Sequence, residues 1–170
     1  TGKGVEDIAS DLGRVVKAVA EEVLARIQAG SYSPLDGKLP KILVAYDARE
    51  KADQFARLAV EVLSAFEGIE VVLGDSIAST PAVISQTRQA LGNKAFDLAL
   101  HVTASHNDTR YCGLKVLQEG VVADDELTAA IARRANDAAT NATFLRIALK
   151  DNEIQKATIV KDMEARYETI

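Results

Sequence analysis

Short apolar runs alternating with stretches of helical spacing constrain this chain more than any other feature. Lys41-Ile-Leu-Val-Ala-Tyr46 follows Pro40 without polar interruption, as expected of a central strand covered on both faces. Before it, Val5, Ile8, Leu12, Val15, Val19 and Val23 recur at helical steps. They place one buried stripe on a helix running to Ile27, ended by Gly30 and the Ser33-Pro34 pair.

The alternation continues down the chain. Residues 51 to 67 return to helical spacing through Phe55, Leu58, Val62 and Phe66, with Gly68 as the stop, and Ile69 to Leu73 forms the next strand. Thr80-Pro81 supplies an N-cap and a first-turn proline for a helix over Ala82 to Leu91. Phe96 to Val102 is strand-like, Thr103 to Cys112 is a polar loop, and Gly113 to Leu117 is a further strand. Asp124-Asp125-Glu126 opens a helix to about Ala138, the acidic run serving as a cap for the helix dipole. Asn136 to Lys150 has weaker periodicity and suits a peripheral connection.

Strands separated by helices predict α/β architecture: a three-layer α/β/α sandwich around a mostly parallel, mixed sheet. In such sheets ligands collect outside the carboxyl ends of the strands. Asp47-Ala48-Arg49 and Ser105 fall on that rim. His101, on an apolar strand, suits a hydrogen-bonded core residue and is given no functional role.

Composition narrows the partners. A formal net charge of -5 argues against nucleic acid and anionic membrane surfaces. One cysteine and two histidines are too few for a disulfide or a zinc cage, which suits a reducing cytoplasmic compartment. Thr1 to Ser10 lack the pattern of a signal peptide. A small metabolite is the expected partner.

The stretch with chemistry in it is Thr103-Ala-Ser-His-Asn-Asp-Thr-Arg-Tyr-Cys-Gly-Leu-Lys115. It resembles the active-serine signature of the α-D-phosphohexomutases, the phosphoglucomutases and phosphomannomutases: T-A-S-H-N-P followed by N-G-x-K. Thr103, Ala104, Ser105, His106, Asn107, Gly113 and Lys115 agree with that pattern, whereas Asp108 stands for its proline and Cys112 for its asparagine. Asp47-Ala48-Arg49 resembles the family's D-x-R segment and Ser79-Thr80-Pro81 its T-P turn. The likeness extends from about residue 10 to 135, and Val160 to Tyr167 resembles the helix leading into a second domain.

The resemblance implies that residues 1–150 are the first, active-serine domain and 151–170 the start of a linker. Ser105 would carry the phosphoryl group, donate it to a hexose phosphate and recover one from a bisphosphate intermediate. The phosphate would thereby move between C1 and C6. His106 and Lys115 would assist catalysis, and Arg49, Thr103 and Asn107 would contact substrate. Ser105 would also offer a phosphoryl oxygen to Mg²⁺, whose aspartate ligands belong to a D-G-D-G-D-R loop absent from this chain. Glucose 1,6-bisphosphate would be the activator, and domains II to IV the missing partners without which this domain is inactive.

Other readings stay open at this point. Asp108 lacks the fixed φ of proline and adds negative charge near a phosphate, which suits a silent sugar-phosphate-binding or scaffold module with the same fold. Phosphoglucosamine mutase specificity is a further alternative. A serine hydrolase is weakened because no G-x-S-x-G elbow is present. Arg49 could equally serve in a structural pair with Asp47, and Lys115 could be a solvated edge lysine.

Overall fold

In a computed structural model, residues 5–35, 37–87, 96–103, 113–137, 144–157 and 159 are described. Among them lie helices α1 (Val5–Gln28), α2 (Ala52–Ser64), α3 (Thr80–Ser85) and α4 (Asp125–Asn136), and strands β1 (Lys41–Tyr46), β2 (Glu70–Gly74), β3 (Leu98–Val102), β4 (Leu114–Gln118), β5 (Val121–Val122) and β6 (Lys156–Ala157). The sheet order is β5-β4-β3-β1-β2-β6. β1 pairs in parallel with β2 and β3, and β2 with β6. The β3–β4 and β4–β5 pairings are antiparallel, so the sheet is mixed, as expected.

Alternation within the strands sends side chains into two cores. Ile42, Val44, Leu98 and Leu100 face one side and pack with Leu12, Val16 and Val19 of α1, Leu63 of α2 and Leu127 and Ile131 of α4. Leu43, Ala45 and Ala99 face the other side, where Ala82 and Val83 of α3 cover them. Both faces of β1 are therefore buried, and Ile42 to Ala45 are 0% exposed. That double burial explains a strand with no polar alternation, and it produces the three-layer α/β/α sandwich.

Local chemistry sets the element ends. Asp124 caps α4 by accepting from the Leu127 amide at 2.8 Å, so the acidic run is a helix start. α3 ends at Ser85, with Gln86 as its C-cap, short of the Leu91 that the spacing suggested; residues 88–91 of that stretch lie outside the described residues. Its N-cap is Ser79, whose side chain accepts from the Ala82 amide, and not Thr80. The β4–β5 hairpin turns at Glu119 (φ 55) and Gly120 (φ 78), between the paired residues Gln118 and Val121. Positive φ at both central positions matches the right-handed strand twist. The Gly120 amide then donates to the buried Thr87 hydroxyl at 3.0 Å.

The carboxyl-terminal stretch packs back onto this body. Phe144 lies over Gly13 of α1 so closely that a β-carbon there would collide with its ring. Arg146 donates Nε and Nη2 to Oε2 of the buried Glu61 at 2.8 and 2.6 Å. Arg57 reaches Asp151 and the Leu149 carbonyl. β6, within the stretch read as the start of a linker, adds a strand beside β2, and Ile159 is buried beyond it at 2% exposure.

Arg146→Ala removes both donors to Glu61 Oε2 and leaves Arg57 Nε 3.7 Å from Oε1. Arg146 is itself 54% exposed, so solvent screening reduces the loss to about 1–2 kcal/mol. Urea unfolding measures it, and an unchanged midpoint would show that this strap contributes nothing.

Candidate functional site

The chain leaves β1 toward β2 on one side of the sheet and later returns to place β3 on the other side of β1. Connections out of neighbouring parallel strands thus diverge at the carboxyl ends of β1 and β3, the switch point at which α/β sheets bind ligands. The residues emerging there are Asp47, Ala48 and Arg49 from β1 and Thr103 from β3. Ser105, His106 and Asn107 lie outside the described residues, as do Asp108 and Cys112.

Two polar anchors bind the rim together. At the first, the Thr103 hydroxyl donates to Asp47 Oδ2 at 2.8 Å, and the Arg49 amide donates to Asp47 Oδ1 at 3.1 Å. The Asp47 amide donates to the Val102 carbonyl at 3.1 Å, and the Thr103 amide to the Gly113 carbonyl at 2.7 Å. Gly113 has φ 47, a left-handed geometry suited to glycine. The last pair continues the β3–β4 ladder by one step and joins the residues that flank positions 104–112.

At the second anchor His101, 1% exposed, bonds on both ring nitrogens. Nε2 lies 3.1 Å from the Ala78 carbonyl and Nδ1 3.0 Å from Thr80 Oγ1. A carbonyl can only accept, so Nε2 carries the proton and Nδ1 of the neutral ring accepts from the Thr80 hydroxyl. His101 thereby ties β3 to the turn that starts α3, and Thr80 spends its side chain here while Ser79 caps the helix.

Of the sequence-derived candidates, Thr103 is buried with its proton committed to Asp47. Arg49 is 47% exposed on its side chain, with Nε 3.8 Å from Asp47 Oδ2. That is the structural pairing foreseen for it, and the guanidinium still faces solvent. Lys115 is half-buried on β4 opposite His101. Cross-strand partners share a face, so Lys115 lies on the α3 side of the sheet.

Asp47 and His101 are the residues that sequence reasoning passed over. For Asp47 the sequence offers a carboxylate directly after a central strand and a partner for Arg49, but no sign of its bond to Thr103. His101 was rightly read as a hydrogen-bonded core group, but nothing in the sequence indicated that it reaches a neighbouring rim loop. Among the described residues, no three His, Cys, Asp or Glu side chains converge as a metal site. No described helix is long and apolar enough to cross a membrane.

Burial pushes the His101 imidazole below its ordinary value, and Lys115 adds to this, against the opposing Ala78 hydrogen bond and Asp47 charge. The unfolded chain therefore takes up this proton first. The stability tied to neutral His101 is complete above the ordinary value of 6.5 and is lost as pH falls from there through the lowered folded value. Unfolding free energies across that window should decline with falling pH in the native chain and less steeply in His101→Asn. Equal slopes would contradict a buried neutral ring.

Fold and rim together define a class: an α/β/α domain whose β1 and β3 ends, carrying Asp47 and Thr103, meet at the switch point of its sheet. The sequence pattern of the phosphoglucomutase/phosphomannomutase family, alpha/beta/alpha domain I, matches residues 7–142, and the chain belongs to that family. A phosphoglucomutase of Staphylococcus haemolyticus is 31% identical over 120 residues, covering 70% of this chain and 21% of that protein. A phosphoglucomutase of Staphylococcus epidermidis is 31% identical over 80 residues, covering 47% and 14%. The chain thus spans about a fifth or less of the length of these relatives.

Proposed function

We propose that this chain is the phosphoserine-bearing domain of a phosphohexomutase that interconverts hexose 1-phosphates and 6-phosphates, inactive by itself. One observation supports the reading: Thr103, the first residue of the Thr103-Ala-Ser-His-Asn107 sequence, stands at the end of β3 on the switch point and is pinned to the neighbouring strand end by Asp47.

Phosphoryl transfer asks the protein mainly for in-line positioning and for neutralisation of oxygen charge. Ser105 supplies the reusable nucleophile. Lys115 and Arg49 are the cations on or near the rim suited to offset phosphate charge, Lys115 or His106 exchanges protons with sugar hydroxyls, and Asn107 contacts substrate; Thr103, also expected at the substrate, instead gives its hydroxyl to Asp47. Mg²⁺ would take a phosphoryl oxygen on Ser105 and its remaining ligands from outside this chain, supplying charge neutralisation. On this reading the whole protein would draw its remaining domains from outside this chain and would act on hexose phosphates in the cytoplasm.

The test is conversion of glucose 1-phosphate to glucose 6-phosphate by the full-length protein that carries this domain. Activity stimulated by glucose 1,6-bisphosphate supports the reading. A protein that binds sugar phosphate without turnover or phosphorylation would instead be a binding module.

A further inference from the structure

We propose that Asp47 is a positioning residue for the phosphoryl-transfer loop after β3 and that it acts through Thr103; the inference rests on the reading of Ser105 as phosphoryl carrier. The side chain of Asp47 is 20% exposed. Its two carboxylate oxygens divide their work, Oδ2 taking the Thr103 hydroxyl at 2.8 Å and Oδ1 the Arg49 amide at 3.1 Å. One carboxylate therefore receives a bond from each of the two strand-end turns that diverge at the switch point.

Thr103 is the natural point of leverage. It is 9% exposed, and its amide closes the loop base on the Gly113 carbonyl at 2.7 Å. Its hydroxyl is then the only polar group of its side chain, and a charge-assisted bond to Asp47 fixes that rotamer against β1. Ser105 follows two residues later in the sequence. A nucleophile is useful only within a narrow range of position and direction, and catalytic groups are held there by side chains that are themselves locked. With both oxygens already accepting, Asp47 suits an anchor better than a base that must take a proton from substrate.

In the step concerned, the Ser105 oxygen attacks phosphorus of a hexose bisphosphate. The bond from Oγ to phosphorus forms, the bond from phosphorus to the sugar oxygen breaks, and the serine proton ends on that departing oxygen. Misplacement of the loop slows this step without weakening sugar binding by the other domains.

The experiment follows single-turnover phosphoryl uptake from radiolabelled glucose 1,6-bisphosphate by the full-length protein carrying this domain. Asp47→Asn and Thr103→Val are each expected to slow uptake by about ten- to a hundredfold with an unchanged half-saturating concentration. Thr103→Ser restores the rate, and the double variant is no slower than the slower single one. Multiplying effects in the double variant, or a Thr103→Val protein at the wild-type rate, overturns the inference. If Asp47→Asn does not fold, the Thr103→Val and Thr103→Ser pair decides alone. Uptake that persists in Ser105→Ala removes the underlying reading instead; a dead Ser105→Ala protein beside wild-type rates for the other variants removes only the role of Asp47.

Discussion

Ser105→Ala in the full-length protein is expected to lower mutase turnover by at least about a thousandfold while leaving the melting temperature within a degree or so. The reason is chemical. Alanine has no oxygen to carry the phosphoryl group between the two halves of the reaction, and His106, next in sequence, would form a different, more labile phosphoryl bond. The Ala104 to Cys112 stretch is mostly polar in sequence, and replacing serine by alanine there removes one hydroxyl and adds no volume. A coupled assay for glucose 6-phosphate measures the rate. Turnover retained within about tenfold would show that the transferred phosphate never resides on Ser105.

Asp97→Ala is expected to produce the largest loss of stability, on the order of 4 kcal/mol. Asp97 is 1% exposed at the amino end of β3. It accepts from the Tyr32 hydroxyl and, at 2.9 and 2.8 Å, from the amides of Leu35 and Lys41. It thus joins the connection after α1 to the first residue of β1. Burial, with Asp97 beside it, drives the Tyr32 phenol far above its ordinary range, so its proton stays in the hydrogen bond. Alanine would leave all three donors without a partner. Tyr32→Phe removes only one of them and should cost about 1 kcal/mol. Chemical denaturation compares the two variants, and similar costs would mean that the backbone amides contribute little.

How much of this was legible in the sequence followed from burial. β1 could be read to the residue because both its faces are covered, which leaves no polar position to blur it. The helices α1, α2 and α4 were legible through one-sided burial. β5 and β6 were not, since two residues each cannot show a period; β6 is held by pairing with β2 and by the buried Ile159. The end of α3 was missed because its capping turn precedes any glycine or proline stop.

The site divides along the same line. Its position on the rim could be argued from strand order, and the T-A-S-H-N stretch marked the loop. What holds the loop could not be found that way, because Asp47 and Thr103 are 56 residues apart. They meet only once β1 and β3 lie side by side. His101 and Thr80, 21 residues apart, pose the same difficulty, as do Phe144 and Gly13.

The central claim is that this chain carries a phosphoryl group on Ser105. Intact-mass measurement of the natively expressed protein after incubation with glucose 1,6-bisphosphate and Mg²⁺, followed by peptide mapping, tests it most directly. The account predicts the added mass of one phosphate, confined to the peptide containing Ser105 and absent from Ser105→Ala. A phosphate mapped to another residue, or none in the presence of the remaining domains, would contradict it.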